Sequence, residues 1–494
     1  MAQGYPSVPI GQERILRRTM TLTVERLASI IGQWPGAALL ESVPGSGRGG
    51  RWSILAARPR LVFEATARSW RIKSDRAGSP SETGKGNPLA RLDVLLAEFG
   101  LGQPSDTPEV GLDAPPFRGG LIGYYGYDLA PQLERLPRKA ARESRMPDIR
   151  FALYDSAVVV DHETGLVEFR AYDLLGEGED ALERRWERWD AELHRTDPHV
   201  GMAWLRPPRS EFAKADYLAA VGRALEYIRA GDVFQVNLSQ RFVSRDAGSP
   251  IVRPDPLGLY LRLKARSPAP YTALLRWKDL AIASASPELF FETRGRRIVT
   301  RPIKGTRPRG ETAESDRRLA GELLASPKDR AELTMIVDLE RNDLGRVCEY
   351  GSVHVVDPVS VETFAQVHHL VATVEGRLRG GVGPVDVLRA VFPGGSITGA
   401  PKIRAMEIID ELEPTRRSVY TGAIGYYSRG GISAFNIAIR TLTVEGDRVH
   451  YQVGGGIVAD SDPEAEYRET LHKGGGLRQA LEWKSPRPES WDRG

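Results

Sequence analysis

Glu288 and Lys304 are two residues of this sequence whose types and spacing suit acid–base and nucleophilic chemistry. Apolar runs at 289–291 and 298–299 flank a turn-like Gly-Arg-Arg, which predicts two strands joined as a hairpin. Hairpin geometry holds Glu288 near the far end, where Lys304 stands between Ile and Gly. A carboxyl group and an amine on adjacent strands serve as general acid and nucleophile if burial tunes both pKa values. The same pattern also fits a surface hairpin with a solvated charge pair.

Carboxylates from two helices provide a second constellation. Glu466, Glu469 and Lys473 share one face of a helix predicted to open at Asp462-Pro463. Glu332 lies on an earlier helix, predicted from the N-cap Ser and first-turn Pro at 326–327. Each set alone is typical of an ordinary solvent-exposed helix face. Together they offer oxygen ligands for a hard cation such as Mg²⁺, for which manganese could substitute.

Groups that suit carboxylate binding occur in three further segments. A Gly-rich loop at 394–402, which includes Thr398, enters a helix, and Gly454, Gly455 and Gly456 interrupt a predicted strand. Both segments could present backbone N–H groups to an anion, or could be simple tight turns. Arg440 lies in the apolar run 438–442, which predicts a strand; a buried arginine there binds an anion bidentately or forms a structural salt bridge. The sum describes an enzyme for a small polycarboxylate.

Composition narrows the class of protein. The chain has 494 residues, of which 68 are basic and 65 are acidic. The resulting net charge of +3 gives no indication of nucleic-acid binding. The single cysteine, Cys348, excludes an intramolecular disulfide and a multi-cysteine zinc site, which suits a reducing cytosol. We see no signal-peptide pattern and no run of ~18 apolar residues, so we expect a soluble, cytoplasmic protein.

Four strings carry a resemblance to a known family. Residues 286–290, 302–306, 394–402 and 462–470 jointly resemble the chorismate-utilising enzymes, which include anthranilate, aminodeoxychorismate, isochorismate and salicylate synthases. The resemblance implies an α/β fold, a large two-sheet sandwich with helices on its outer faces and with the N- and C-terminal parts of the chain intertwined. It also implies an N-terminal region at 14–200 and a catalytic domain at 210–481.

Two positions distinguish the branches of that family. Gln235 stands where the water-adding branch carries a lysine that activates water, so those chemistries are disfavoured. Lys304 stands where the anthranilate-forming branch carries alanine, and it matches the branch that makes 4-amino-4-deoxychorismate for folate biosynthesis. We therefore expect conversion of chorismate and ammonia to that product. Anthranilate synthase component I is the alternative, and a non-catalytic scaffold subunit is a third hypothesis.

The resemblance also implies a role for each candidate residue. Lys304 would attack ring carbon 2 while Glu288 protonates the departing 4-hydroxyl, and His369 is either a site residue or a packed core histidine. The metal would be Mg²⁺, held by Glu332 and Glu469 with Glu466 nearby. The groups implied to bind the substrate are Tyr420, Arg440, Thr398, Lys473 and the amides of Gly454, Gly455 and Gly456.

The resemblance extends to a partner and to a second ligand. Cys348 lacks the Gly-x-Cys-x-Gly setting of a glutamine-hydrolysing nucleophile, so ammonia is expected from a separate glutamine amidotransferase subunit. Glu41 and Ser42, in the string Leu-Leu-Glu-Ser, resemble the tryptophan-binding motif of anthranilate synthases. That motif also occurs in members that hold tryptophan without feedback, so it does not decide between the two products.

Overall fold

Two 12-stranded antiparallel sheets form the centre of the protein. The computed structural model describes residues 14–42, 50–75, 81–104, 114–197, 201, 205–245 and 254–482. The sheets pack face to face, and helices cover their outer faces. The predicted two-sheet α/β sandwich is therefore confirmed.

The strands vary from two to eleven residues in length. In chain order they are β1 (Ile15–Thr19), β2 (Ala38–Glu41), β3 (Trp52–Ala56), β4 (Leu61–Thr66), β5 (Ser69–Ser74), β6 (Glu82–Lys85), β7 (Gly120–Tyr125), β8 (Ile149–Tyr154), β9 (Ser156–Asp161), β10 (Leu166–Tyr172), β11 (Arg209–Ser210), β12 (Gln235–Arg245), β13 (Tyr271–Arg276), β14 (Leu280–Ser286), β15 (Leu289–Arg294), β16 (Arg297–Arg301), β17 (Ile303–Pro308), β18 (His354–Thr363), β19 (Val367–Arg377), β20 (Gly399–Ala400), β21 (Ala423–Ser428), β22 (Ile432–Ile437), β23 (Thr441–Glu445) and β24 (Arg448–Ile457).

Strand order shows how the two halves of the chain intertwine. The first sheet runs β1-β10-β9-β3-β2-β13-β14-β23-β24-β12-β11, with β20 paired to β12. The second runs β17-β19-β16-β15-β22-β21-β7-β8-β4-β5-β6, with β18 paired to β19. Each sheet therefore contains strands from before and after residue 200. The proposed division between 14–200 and 210–481 is a division of the sequence, and residues 198–200 and 202–204 lie outside the described residues.

Eleven α-helices occur in the described part of the chain. They are α1 (Val24–Ile31), α2 (Pro88–Glu98), α3 (Glu179–Arg195), α4 (Lys214–Arg229), α5 (Pro256–Arg266), α6 (Ala313–Ala325), α7 (Pro327–Gly345), α8 (Pro384–Val391), α9 (Lys402–Leu412), α10 (Pro463–Lys473) and α11 (Gly475–Leu481). The predicted caps are confirmed, because Ser326 and Asp462 accept backbone N–H groups at the starts of α7 and α10. None of these helices is both long and apolar enough to cross a membrane.

Apolar residues fill three layers. The layer between the sheets contains small and branched side chains from both, such as Ala273 and Ile282 opposite Ile122 and Ile424. Helices α1, α3, α5 and α11 cover the outer face of the first sheet, and α2, α7 and α8 cover that of the second. Burial of apolar surface on both faces stabilises each sheet and fixes its register. The candidate site is carried by β17 at one end of the second sheet and by β12, next to the short end strand β11 of the first, with their neighbours β19 and β24.

Candidate active site

The predicted hairpin forms in the second sheet, but Glu288 and Lys304 flank it and do not lie on adjacent strands. Strands β15 and β16 pair as an antiparallel hairpin, with Thr293 opposite Ile298. After a break at Pro302 the chain continues as β17, which pairs with β19 and places Lys304 opposite Leu370. Glu288 immediately precedes β15 and is 5% exposed, whereas Lys304 is partly buried. The alternative of a solvated surface pair does not fit this burial.

Ser396 joins this hairpin to the first sheet. Its carbonyl oxygen accepts a 2.9 Å hydrogen bond from the Asn237 side chain on β12 and a weak 3.5 Å hydrogen bond from Lys304 Nζ. The Asn237 backbone N–H in turn donates to the Thr398 carbonyl at 2.8 Å. The loop at 394–400 therefore bridges the two sheets directly beside the Lys304 amine.

Burial shifts the pKa values of both reactive groups toward their neutral forms. Burial raises the pKa of Glu288 to about 7, although the Ser396 side chain and the Lys304 charge oppose the shift. Burial lowers the pKa of Lys304 below its ordinary value; nearby Glu332 opposes this shift, while the Lys473 charge adds to it. A protonated carboxylic acid and an unprotonated amine are the forms that a general acid and a nucleophile need near pH 7.

His369 faces the same region as a neutral imidazole. Its Nδ1 lies 3.0 Å from the Thr306 hydroxyl and 3.4 Å from the Gly305 carbonyl. Burial lowers the His369 pKa to about 3, and the charge of Arg440 contributes to the shift. Nε2 is buried and has no hydrogen-bond partner among the described residues. A carbonyl partner at Nδ1 assigns the proton to that nitrogen and leaves Nε2 as an unsatisfied acceptor, which a substrate hydroxyl would satisfy.

The carboxylates from α7 and α10 lie near Lys304. Both Glu332 and Glu469 contribute to the electrostatic environment of that amine. On α10, Glu469 pairs with Lys473 at 2.7 Å, and these two side chains are about half exposed. Glu466 is buried and accepts a 2.6 Å hydrogen bond from Ser461. The helix face of α10 is therefore solvent-exposed at one edge and turned toward the site at the other.

Gly455 provides the geometric link between these carboxylates and β24. A Cβ atom at Gly455 would lie 3.0 Å from Glu466 Oε2, 3.7 Å from Glu469 Oε1 and 3.9 Å from Lys473 Nζ. The absence of a side chain therefore leaves the carboxylates room to face the backbone of β24. Lys473 Nζ also donates to the Gly454 carbonyl at 3.2 Å.

The carboxylate set suits a hard divalent cation. Burial raises the pKa of Glu332 and of Glu466. For Glu469 burial acts in the same direction, but the Lys473 ammonium outweighs it and lowers the pKa. Carboxylates that are partly desolvated and close together repel one another, and a bound cation relieves both costs. No group of three or more His, Cys, Asp or Glu side chains converges as a metal site within the described residues. Mg²⁺ commonly takes one or two protein carboxylates and fills its other positions with water and substrate, so the open arrangement fits it.

Arg440 does not lie in a strand, so the prediction of a strand over 438–442 is wrong. Strand β22 ends at Ile437 and β23 begins at Thr441; Arg440 lies in the connection with a left-handed φ of +50°. The residues around it are apolar because the connection is covered, not because it extends a strand. Burial lowers the Arg440 pKa, and no ion pair to the guanidinium occurs among the described residues. An unpaired, partly buried arginine in a strained turn is available for an anionic ligand.

The two glycine segments differ in conformation. Gly454, Gly455 and Gly456 are part of β24 and pair with Ser239, Leu238 and Asn237 of β12, so they form no turn. The loop at 394–400 contains a 3₁₀ turn at Gly395–Ile397, in which the buried Thr398 hydroxyl donates to the Gly394 carbonyl at 2.9 Å. The Thr398 side chain thus stabilises the loop at 394–400. Its contribution to the site is indirect, through the position of that loop.

Tyr420 lies in the turn before β21, over a buried pair of charges that sequence reasoning missed. The Arg417 guanidinium lies 5.7 Å from the Tyr420 ring centroid and 2.7 Å from Glu413. In sequence, Glu413 and Arg417 have the i, i+4 spacing of an ordinary surface pair at a helix end. The only indication of their burial in the sequence is the apolar stripe of α9, the helix that ends directly before Glu413, because that stripe faces the sheet.

Glu41 and Ser42 lie away from this cluster, at the end of β2. The Glu41 carboxylate is buried and accepts hydrogen bonds of 2.6 Å from both Tyr260 and Lys264. The Ser42 backbone N–H donates to Ser53 at 3.1 Å. The structure therefore places Ser396, Glu288, Glu332, Glu469 and Lys473 near Lys304 and leaves Glu41 and Ser42 as a separate feature of the first sheet.

Comparisons with known proteins agree with the fold. The sequence profile described as "chorismate binding enzyme" matches residues 48–478. The chain is 41% identical to anthranilate synthase component 1 of Thermus thermophilus over 454 residues, which cover 91% of this chain and 92% of that protein. It is also 41% identical to aminodeoxychorismate synthase component 1 of Salmonella typhimurium over 453 residues, which cover 92% and 94%. The crystal structure of anthranilate synthase component I from Streptococcus pneumoniae superposes with a TM-score of 0.75 at 33% identity, covering 89% and 93%.

The chain therefore belongs to the chorismate binding enzyme family, as its four strings predicted. It is a chorismate-utilising enzyme. Relatives that form two different products match it at the same identity, so overall similarity does not separate the two reactions.

Proposed function

We propose that this enzyme replaces the 4-hydroxyl of chorismate with an amino group and releases 4-amino-4-deoxychorismate. The observation that carries the proposal is the Lys304 amine, whose pKa burial lowers, next to Glu288, whose pKa burial raises to about 7. Glu288 immediately precedes the β15–β16 hairpin and Lys304 lies on β17 just after it, with acidic side chains of α7 and α10 near the amine. This arrangement supports a covalent, acid-assisted substitution.

The reaction proceeds in two balanced steps. The Lys304 nitrogen pair forms a bond to ring carbon 2, both conjugated ring double bonds shift by one position, and the bond from carbon 4 to oxygen breaks. Glu288 gives its proton to that oxygen, so that water leaves rather than hydroxide. Ammonia then bonds to carbon 4, both double bonds shift back, and the bond from carbon 2 to the Lys304 nitrogen breaks. Glu288 recovers a proton from the adding ammonia, and both protein groups return to their starting forms.

Substrate binding is assigned to the surrounding cations and carboxylates. Arg440 and the Tyr420 hydroxyl would hold and orient chorismate, and Lys473 would add positive charge at the open edge. When bound by Glu332 and Glu469, with Glu466 beside them, Mg²⁺ would supply positive charge for the ring carboxylate. The neutral His369 would accept a hydrogen bond at Nε2 from a substrate hydroxyl.

The ammonia is assigned to a separate glutamine amidotransferase subunit. Cys348 is 2% exposed, and burial raises its pKa to about 11, so its thiol is a poor nucleophile at neutral pH. That environment supports the prediction that this chain does not hydrolyse glutamine itself. The "component 1" in the names of its relatives is consistent with a second component. Folate biosynthesis, through 4-aminobenzoate, is the pathway that such a product would feed.

Formation of anthranilate is the second candidate function, because relatives with that name match equally well. The two differ in the bond that ammonia forms: anthranilate carries the new nitrogen at carbon 2, the carbon that Lys304 would occupy. Chromatography with mass detection after incubation with chorismate, Mg²⁺ and ammonium salt at alkaline pH separates the two products. We expect 4-amino-4-deoxychorismate; anthranilate as the main product would contradict the proposal.

Tryptophan binding near Glu41 and Ser42 remains part of the proposal. Because Glu41 is already held by Lys264 and Tyr260, an incoming ammonium group would have to share or displace these contacts. Isothermal titration calorimetry with tryptophan measures binding, and an assay with added tryptophan measures inhibition. Binding without inhibition is the result that a structural ligand would produce.

A further inference from the structure

Glu413 and Arg417 form a buried ion pair at the foot of the candidate site. Arg417 Nη2 lies 2.7 Å from Glu413 Oε1, and the side chains of Arg417 and Glu413 are 1% and 2% exposed. Removing two charges from water costs free energy that their mutual attraction offsets only in part. A buried pair is thus weak evidence for stability, and the hydrogen bonds that it makes to its surroundings are more informative.

Arg417 holds the segment that faces Lys304. Its guanidinium donates at 2.9 Å to the Ile397 carbonyl and at 2.9 Å to the Asn237 carbonyl. Ile397 directly follows Ser396, whose carbonyl accepts both the Asn237 side chain and the Lys304 amine. Two segments therefore meet at Lys304 in positions that one planar, forked side chain determines.

Glu413 holds the part of β12 that pairs with Gly454 to Gly456 of β24. It accepts hydrogen bonds from the Ser239 backbone N–H at 2.9 Å and from the Ser239 hydroxyl at 2.6 Å. Ser239 pairs with Gly454 in the ladder between β12 and β24. The Gln452 side chain, on β24 itself, donates to the same carboxylate at 3.4 Å. The ion pair thereby connects Lys304 with the strand that faces the acidic side chains of α10.

The turn that carries Tyr420 provides an independent observation. Ser418 and Thr421 have left-handed φ angles of +55° and +59°, which are uncommon outside glycine and strained for a β-branched residue. Such conformations persist only where the surroundings over-determine them. Here the Arg417 guanidinium lies 4.8 Å from the Tyr127 ring centroid and 5.7 Å from that of Tyr420, and its Nη1 donates to the Thr421 hydroxyl at 3.4 Å.

We propose that Glu413 and Arg417 are positioning residues for the reaction. Together they hold the Ser396 carbonyl against the Lys304 amine and hold Tyr420 toward the substrate. They touch neither the substrate nor the reacting atoms, and they act through these two residues. The proposal rests on the proposed function, since it requires that Lys304 bonds to the ring.

The test compares Arg417→Lys with a matched buried arginine elsewhere. Lysine keeps the charge opposite Glu413 but lacks the planar fork that reaches Ile397 and Asn237 together. The control is Arg60→Lys, because Arg60 is 14% exposed and pairs with the buried Asp155 at 2.7 Å without contacting the site. Two rates are measured per folded molecule: kcat with chorismate and ammonia, and the rate at which chorismate without ammonia adds to Lys304 by intact mass.

We expect Arg417→Lys to lower kcat and the rate of addition to Lys304 together, each by about 10- to 100-fold, because small misplacement of reacting groups has effects of that size. Arg60→Lys should lower Tm and leave both rates within twofold. If Arg417→Lys lowers Tm and leaves both rates unchanged, the pair is only structural and the proposal is overturned.

Should Arg417→Lys not fold, Glu413→Gln gives the same test, since glutamine keeps an acceptor oxygen for Ser239 but loses the charge. Rates within twofold of wild type in that variant would also overturn the proposal. If wild-type enzyme forms 4-amino-4-deoxychorismate but never adds to Lys304, the covalent step is at fault and the positioning proposal falls with it. If Lys304 is modified normally in both wild type and Arg417→Lys, only the positioning proposal fails.

Discussion

The carbonyl oxygen of Ser396 lies 3.5 Å from Nζ of Lys304, and no carboxylate among the described residues forms an ion pair with that amine. A lysine held by a direct salt bridge would keep its proton. A weak backbone contact in a partly buried setting instead favours the neutral amine that can attack a carbon atom. The acidic side chains of α7 and α10 are close enough to affect the amine without pairing with it.

Removing the amine tests its assigned role. Lys304→Ala should lower the rate of 4-amino-4-deoxychorismate formation by at least about 10³-fold, as expected when a covalent nucleophile is lost. The matched control is Lys278→Ala, which removes an exposed lysine from the turn between β13 and β14. Assays with saturating ammonia measure both variants. Retention of more than a tenth of the wild-type rate in Lys304→Ala would contradict the covalent step.

The pH dependence follows from the two shifted groups. Glu288 must be protonated, so kcat/KM for chorismate should fall tenfold per pH unit above about 7, its pKa. Lys304 must be neutral, so the rate should fall as pH drops below its lowered pKa, which gives a bell-shaped profile. Free NH₃ is held constant across the series so that its own titration does not contribute. Glu288→Gln should reduce the rate by roughly 10²- to 10⁴-fold and abolish the alkaline limb.

The same carboxyl group should make the folded state pH-sensitive. Its pKa is about 7 in the folded chain and 4.5 as the ordinary value, so its stabilising effect is complete below 4.5 and is lost as pH rises through 7. Glutamine does not titrate, so the Glu288→Gln variant does not lose this stabilising effect as pH rises. From pH 4 to pH 8 the unfolding free energy of the variant should therefore gain up to about 3 kcal/mol relative to wild type. Urea denaturation at the two pH values measures this, and an equal offset at both would contradict it.

Gly455 should determine metal affinity. In Gly455→Ala the new Cβ would lie 3.0 Å from Glu466 Oε2, tighter than an ordinary contact, so the carboxylates must shift. We expect the Mg²⁺ concentration for half-maximal activity to rise about tenfold or more, a size typical for disturbing groups around a metal. Gly222→Ala is the control, because a Cβ there meets nothing within 4 Å. An unchanged Mg²⁺ requirement in Gly455→Ala would place the metal elsewhere.

Arg440 should show opposite effects on stability and on binding. Its φ of +50° is strained for arginine and unstrained for glycine, so Arg440→Gly should relieve about 1 kcal/mol and leave Tm unchanged or higher. The same change removes the unpaired guanidinium, and KM for chorismate should rise about tenfold or more. Calorimetry and steady-state kinetics measure the two effects. A fall in Tm with an unchanged KM would show that Arg440 is structural.

Local patterns in the sequence were sufficient for the parts of the site that lie within one element. The hairpin around 295–297 and the caps at Ser326 and Asp462 each depend on residues next to one another, and all are confirmed. The two-sheet sandwich was predicted from the family strings and not from local patterns, because the paired strands β12 and β24 are more than 200 residues apart in sequence. No periodicity encodes contacts over that distance.

The errors and omissions share a physical cause. Arg440 looked like a strand residue because its neighbours are apolar, yet a covered left-handed turn needs apolar neighbours as well. The Glu413–Arg417 pair was missed because i, i+4 spacing is the same whether a helix end faces water or two sheets. Whether a charged side chain is buried depends on the elements that pack against it, and here those elements are β12 and the loop at 394–400.

Intact-protein mass spectrometry of the enzyme incubated with chorismate and Mg²⁺, without ammonia, tests the central assignment most directly. We predict a species heavier than the free chain by chorismate less one water, with the modification mapped to Lys304 by peptide fragmentation and lost when ammonia is added. An unmodified Lys304 in enzyme that goes on to form 4-amino-4-deoxychorismate when ammonia is supplied would contradict it.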